Sequence, residues 1–157
     1  MNVWYLHGLE SAVGGPKVEF LKSVAEEVFA PKMVYTNPNM FQALLNTAKI
    51  DKPDLIIGSS MGGYFADAIG SHLDIEVILF NPALHSRSME PEGVTYGKTN
   101  WERNFVVGTE DKVIDPKATR VYKDIAKSWT EIKEMGHRTD LKVFKDIYMK
   151  ITTNEVS

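Results

Sequence analysis

The sequence predicts an α/β fold, a three-layer sandwich in which a mostly parallel sheet of about six strands is covered by helices on both faces. Three observations lead there. Short runs of branched and aromatic residues recur, such as Val-Trp-Tyr-Leu at 3–6, Leu-Ile-Ile at 55–57 and Glu-Val-Ile-Leu-Phe at 76–80, as strands buried on both faces require. Stretches with apolar residues at helical spacing lie between them. Short polar turns join the two kinds of segment, the alternation that sets parallel strands side by side.

Each element has its own signal. Residues 3–6 form the first strand, which stops at His7-Gly8-Leu9-Glu10-Ser11. Pro16 suits the first position of a helix in which Val18, Leu21, Val24, Ala25 and Val28 share one face and Lys17, Glu19, Lys22 and Glu26 the other. Residues 32–36 are a short strand candidate, and Asn37-Pro38 reads as a cap followed by proline at N1, opening a helix over 40–48. The strand at 55–57 leads into a helix that turns Tyr64, Phe65, Ala68 and Ile69 inward. The strand at 76–80 ends at Asn81-Pro82. Residues 84–100 are rich in Ser, Pro, Gly, Asn and charges without a period, so they form a lid or a long connection. Residues 105–107 are the next strand core, and Asp115-Pro116 caps a helix with Ala118, Val121, Tyr122 and Ile125 on one face. A final strand near 129–135 leads to Gly136-His137, and a last helix over about 139–151 turns Leu141, Phe144, Ile147, Tyr148 and Ile151 inward.

Composition bounds what such a fold does. A chain of 157 residues needs only one domain, 1–157, to bury about two thirds of the surface its unfolded form exposes. Eighteen basic against 21 acidic side chains give a net charge of −3 without a dense Lys/Arg run, which argues against nucleic acid as a partner. The longest apolar run is far short of the ~20 residues a membrane-spanning helix needs, so no membrane insertion is expected. The absence of cysteine removes disulfides, thiolate metal sites and a cysteine nucleophile, and suits a reducing compartment. No secretory signal precedes the first strand, so the expected location is the cytoplasm.

The chemistry centres on Gly58-Ser59-Ser60-Met61-Gly62, a G-x-S-x-G placed where a buried strand must turn sharply into a helix. Such a turn holds its serine in a strained conformation, and side chains at the flanking positions would strike the neighbouring strand or helix. Ser59 is a rival hydroxyl, but it occupies the variable position, and the glycines flank Ser60 symmetrically. The alternatives are a glycine-rich turn that only packs a helix on a sheet, and a phosphate-cradling loop. The latter lacks the Lys-Ser/Thr ending.

A serine hydroxyl needs a base to take its proton and a third group to orient that base. His137 and Asp111 suit those roles, because Ser60, Asp111 and His137 follow in that order and each comes just after a strand. Glu110 and Asp115 compete for the acid, although Asp115 serves better as a helix cap. His7 is better explained as shaping its own loop, and His72 and His85 are expected at the surface. The backbone amides of Leu9 and Met61 are the candidate oxyanion donors.

Taken together, His7-Gly8, Gly58-Ser59-Ser60-Met61-Gly62-Gly63, Gly108-Thr109-Glu110-Asp111 and Gly136-His137 resemble the α/β-hydrolase superfamily. More narrowly, the chain resembles the small bacterial YqiA-like esterases, in Tyr5-Leu6-His7-Gly8 with Ser11, residues 58–64, Asn81-Pro82-Ala83, residues 108–115 and the terminal Gly-His. The resemblance implies a minimal hydrolase without a full cap, acting on carboxylic esters of short acyl chains and using no cofactor. It makes Ser60 the nucleophile, Asp111 the acid, His137 the base, and Leu9 and Met61 the oxyanion amides. The expected partner is a small-molecule acyl ester. Two other functions remain open on the same residues: a thioesterase or acyltransferase with the same triad, and a non-catalytic ligand-binding protein on the same fold.

Overall fold

A computed structural model describes residues 1–9, 11–97 and 100–153; Glu10 of the first loop and positions 98 and 99 of the irregular stretch lie outside them. The chain runs β1 (Asn2–Leu6), α1 (Pro16–Val24), β2 (Glu27–Phe29), α2 (Met40–Asp51), β3 (Leu55–Ser59), α3 (Met61–Leu73), β4 (Glu76–Phe80), β5 (Arg103–Gly108), α4 (Pro116–Thr119) with a 3-10 turn over Arg120–Ile125, β6 (Ser128–Ile132) and α5 (Leu141–Thr152). The six strands form one sheet in the order β2-β1-β3-β4-β5-β6, and every neighbouring pair is parallel.

Strand alternation sends successive side chains to opposite faces, which is why two cores form. Trp4, Leu6, Ile56, Val77, Leu79 and Phe105 face α2 and α3, meeting Phe41, Leu44, Phe65 and Ile69. Val3, Tyr5, Leu55, Ile57, Ile78, Phe80 and Val106 face α1 and α5, meeting Leu21, Phe144 and Ile147. The order of the strands then creates a crevice. The chain leaves β1 through α1 toward β2 on one side, and leaves β3 through α3 toward β4 on the other. Helices α1 and α3 therefore lie on opposite faces. The carboxyl ends of β1 and β3 stand at the switch point where ligands bind in open parallel sheets.

Three sequence expectations are corrected. Val28 is not on α1, which ends at Val24 with Ala25 extended. Val28 belongs to β2, whose residues pair with Asn2, Val3 and Trp4, and Phe29 there packs on the Trp4 ring at 4.7 Å. Residues 32–36 are not a strand. Met33 and Tyr35 are buried alternately because both side chains enter the core on the α2 and α3 face, and the segment is tied to His7: the Met33 amide donates to His7 Nε2 and the Tyr35 hydroxyl donates to the His7 carbonyl. Nor does a regular helix extend to Ile125. After one turn of α4, which buries Thr119, the chain tightens into the 3-10 turn, which lays Tyr122 on the Phe105 ring. Val121 and Ile125 are left 74% and 59% exposed. Asp115 does cap α4, its Oδ1 accepting from the Lys117 amide at 2.9 Å.

The irregular stretch before β5 is held against α3. Asp67 of α3 is fully buried and accepts from the Tyr96 hydroxyl (2.8 Å), the Trp101 indole (3.0 Å) and the Arg103 guanidinium, while the Ser71 hydroxyl takes the Gly97 amide. A buried carboxylate is tolerated only when paired and hydrogen-bonded in this way. Arg87 reaches back from the same stretch, donating to the Ala83 and Leu84 carbonyls and stacking 4.0 Å over the Tyr64 ring.

Candidate active site

Ser60 sits between β3 and α3 with φ 55° and ψ −117°, a conformation that costs a non-glycine residue about 1–3 kcal/mol. Its surroundings hold it there. The Ser60 amide donates to the Phe80 carbonyl, and the Ser60 carbonyl accepts from the Ala83 and Gly63 amides, all at 3.0 Å. Both motif glycines are required by contact with backbone. A Cβ on Gly58 would lie 2.2 Å from the Gly62 carbonyl oxygen, and one on Gly62 would lie 1.9 Å from that of Leu6. The helix thus starts hard against the end of β1.

The candidate base and acid, His137 and Asp111, come from loops after β6 and β5. His137 Nε2 stands 2.9 Å from Ser60 Oγ, and His137 Nδ1 stands 2.9 Å from Asp111 Oδ2. The other carboxylate oxygen accepts from the amides of Val113 (2.8 Å) and Ile114 (3.0 Å). The carboxylate is 1% exposed and the imidazole 24%, so the ring meets solvent while the carboxylate does not. Burial pushes the Asp111 carboxyl up, but the hydrogen bonds from His137, Ile114 and Val113 and the His137 charge outweigh it and hold the group below its ordinary value. An acceptor on Nδ1 fixes the proton there and leaves Nε2 to face the hydroxyl.

The rival acids are elsewhere. Glu110 is exposed, its amide bonded to the Met135 carbonyl, and Asp115 is the α4 cap. His7 is buried, with Nε2 accepting from Met33 and Nδ1 donating to the Gly8 carbonyl at 2.8 Å, so it shapes the first loop as the sequence suggests. His85 is exposed and His72 half-buried, its Nε2 at Thr95. A Cβ on Gly8 would meet the Ser60 Cβ at 3.3 Å, which brings the loop of Leu9 next to the elbow, the sharp strand-to-helix turn that carries Ser60. Met61 is the first residue of α3, where helical amides lack intrahelical acceptors. Among the described residues, no group of three or more His, Asp or Glu side chains is placed to hold a metal ion, and no helix is long and apolar enough to cross a membrane. One residue of consequence is marked in the sequence only as the end of a strand and as part of the Asn81-Pro82-Ala83 block, with no role attached. Asn81 reaches the loops of both Asp111 and His137.

The arrangement can pass a proton from Ser60 Oγ to His137 Nε2 while Asp111 stabilises the resulting imidazolium. The stability contributed by the Asp111 interactions depends on pH. A carboxyl whose folded value is depressed contributes above its unfolded value and loses that contribution as pH falls through the folded one, so the melting temperature should hold from neutral pH into mild acid and fall only below the ordinary carboxyl range. Thermal melts of the wild type and Asp111→Asn across pH check this, the variant being expected to lose that part of the acid dependence.

Comparison with known proteins places the fold. The model of the uncharacterised protein family UPF0227 matches residues 2–128. No curated protein matches the sequence. Among solved structures, a Xanthomonas campestris pv. campestris protein described as a hydrolase of the alpha/beta superfamily superposes with a TM-score of 0.76 at 17% identity, over 98% of this chain and 97% of that one. A monoacylglycerol lipase from Paleococcus ferrophilus gives 0.74 at 14% identity, over 96% and 92%. Est1E from Butyrivibrio proteoclasticus gives 0.74 at 12% identity, over 98% and 87%. At these identities the likeness establishes the α/β-hydrolase fold.

Proposed function

The chain belongs to the UPF0227 family, and from that premise and its site we propose that it is a serine hydrolase, a carboxylesterase that cleaves short-chain acyl esters through an acyl-enzyme. The observation that carries the proposal is the unbroken run of hydrogen bonds from Ser60 Oγ through His137 to the buried Asp111. A surface histidine and a turn aspartate have no reason to converge on a strained serine at the switch point of a parallel sheet. The esterases and lipases among the fold's neighbours support the same chemistry.

In the proposed reaction Ser60 Oγ attacks the acyl carbon as its proton passes to His137 Nε2. The oxyanion of the tetrahedral intermediate faces the amides of Met61 and Leu9. His137 returns the proton to the departing alcohol, leaving the acyl group on Ser60. Water activated by His137 then releases the acid.

Fluorophosphonate labelling followed by intact mass and peptide mapping tests the reading. One adduct per chain is expected, on the peptide carrying Ser60. A folded protein that takes up no adduct overturns the proposal in favour of a non-catalytic pocket on the same fold. Side-by-side rates on ester, thioester and non-water acceptors then assign the leaving group, with the oxygen ester expected to be fastest.

A further inference from the structure

Asn81 follows β4 in the left-handed region, at φ 44°, and is 1% exposed. Asparagine visits that region at lower cost than other side chains except glycine, but a glycine would do so more cheaply, and turn geometry alone does not explain a buried amide. Its hydrogen bonds do. Oδ1 accepts from the Gly108 amide at 2.8 Å, where β5 gives way to the acid's loop. Nδ2 donates to the carbonyls of His137 (2.7 Å) and Gly136 (3.3 Å), the base's loop. The Asn81 amide itself bonds the Val106 carbonyl in β5. The partners of this one side chain lie 27 and 55–56 residues away in sequence.

The residues on either side of Asn81 hold the nucleophile. The Phe80 carbonyl accepts from the Ser60 amide, and the Ala83 amide donates to the Ser60 carbonyl, while Pro82 packs where a Cβ on Gly63 would meet it at 2.8 Å. Residues 80–83 thus touch the backbone of the nucleophile, the base and the acid's loop at once.

We infer that Asn81 is a positioning residue for the triad, a cross-brace whose carboxamide sets the height of His137 above Ser60 and ties the loop of Asp111 to the same frame. The inference rests on the hydrolase reading. His137 carries its ring on a short loop after an edge strand whose residues are only half-buried. Without a donor beneath its carbonyl, that loop has fewer restraints on the 2.9 Å approach of Nε2 to Oγ. Misplacement of a reacting group by about 1 Å costs on the order of 100-fold in rate.

Two variants separate positioning from mere folding. Asn81→Gly keeps the left-handed backbone and removes the amide. Asn81→Asp keeps the acceptor for Gly108 but sets a carboxylate against the carbonyls of Gly136 and His137. Both are compared with wild type, well below their melting temperatures, for kcat and KM on an acyl ester and for rate and stoichiometry of fluorophosphonate labelling. Expected for each is a kcat lowered about 100-fold with KM within about threefold. One adduct should still form per chain, at a similarly reduced rate. A kcat within about threefold of wild type overturns the inference, as does a reduced number of reactive serines that label at the wild-type rate. Two variants that both fail to fold would assign Asn81 to the fold rather than to the base, and also overturn it. A wild-type protein that takes up no adduct would be a failure of the hydrolase reading itself, and this inference would fall with it.

Discussion

Replacement of Ser60 by alanine is expected to lower ester turnover by about four to six orders of magnitude and to abolish the fluorophosphonate adduct, while leaving the protein folded. The size of the loss follows from the site's economy of parts. Among the described residues, Ser60 Oγ is the group that hydrogen-bonds His137 Nε2, so its removal takes away the hydroxyl that this base would activate. The small structural effect follows from what holds the elbow. The bonds that fix residue 60 run through its backbone amide and carbonyl, and alanine retains them. Ser60→Gly provides a control, because glycine adopts φ 55° without strain and should raise stability by about 1 kcal/mol while losing the same activity. Turnover of Ser60→Ala near that of wild type would sink the mechanism, and Ser59 would become the hydroxyl to test.

Gly62→Ala should break the fold as well as the activity. An added methyl carbon would lie 1.9 Å from the Leu6 carbonyl oxygen, 2.6 Å from its carbon and 2.7 Å from the His7 carbonyl oxygen. All three are backbone atoms, and no rotamer change moves them aside. Relief requires α3 to lift from the sheet or the end of β1 to bend, and either shift separates Ser60 from the loop carrying Leu9. The cost is expected at about 3 kcal/mol or more, at the upper end for overpacking. Turnover in the molecules that do fold should drop at least about 100-fold. Denaturant unfolding and kcat on the same sample check both. A variant with wild-type stability and activity would show that the elbow does not need this close an approach.

Much of the site is legible in the sequence because its signals are local. A buried strand, a glycine-flanked serine and an amphipathic helix occupy consecutive residues from 54 to 73, and each is recognisable from its own period and composition. The order of Ser60, Asp111 and His137 is likewise written along the chain. The choice of Asp111 over Glu110 is not. Adjacent carboxylates carry the same chemistry, and the tight turn in which the Asp111 amide bonds the Gly108 carbonyl sends one inward and the other to solvent. The contacts of Asn81 are not legible for a similar reason. An Asn-Pro after a strand signals a turn in any protein, and its partners belong to segments that meet only in the folded sheet.

The misread elements share a cause. Residues 27–29 are half-exposed at the sheet edge, so they lack the unbroken apolar run of a central strand, and Val28 happens to fall in phase with the helix before it. Met33 and Tyr35 alternate like a strand because both side chains enter one core, while the segment bonds to His7 instead of to a neighbouring strand.

The sequence by itself determined the α/β class, the place of the elbow and the serine at its apex, since backbone sterics and hydrophobic period act within a few residues. Tertiary structure alone decided the strand order that puts β1 beside β3, the inward turn of Asp111, and the brace from Asn81 to His137. Each of those is a contact between distant segments, chosen by which pairs of surfaces bury together and which polar groups find partners once water is excluded.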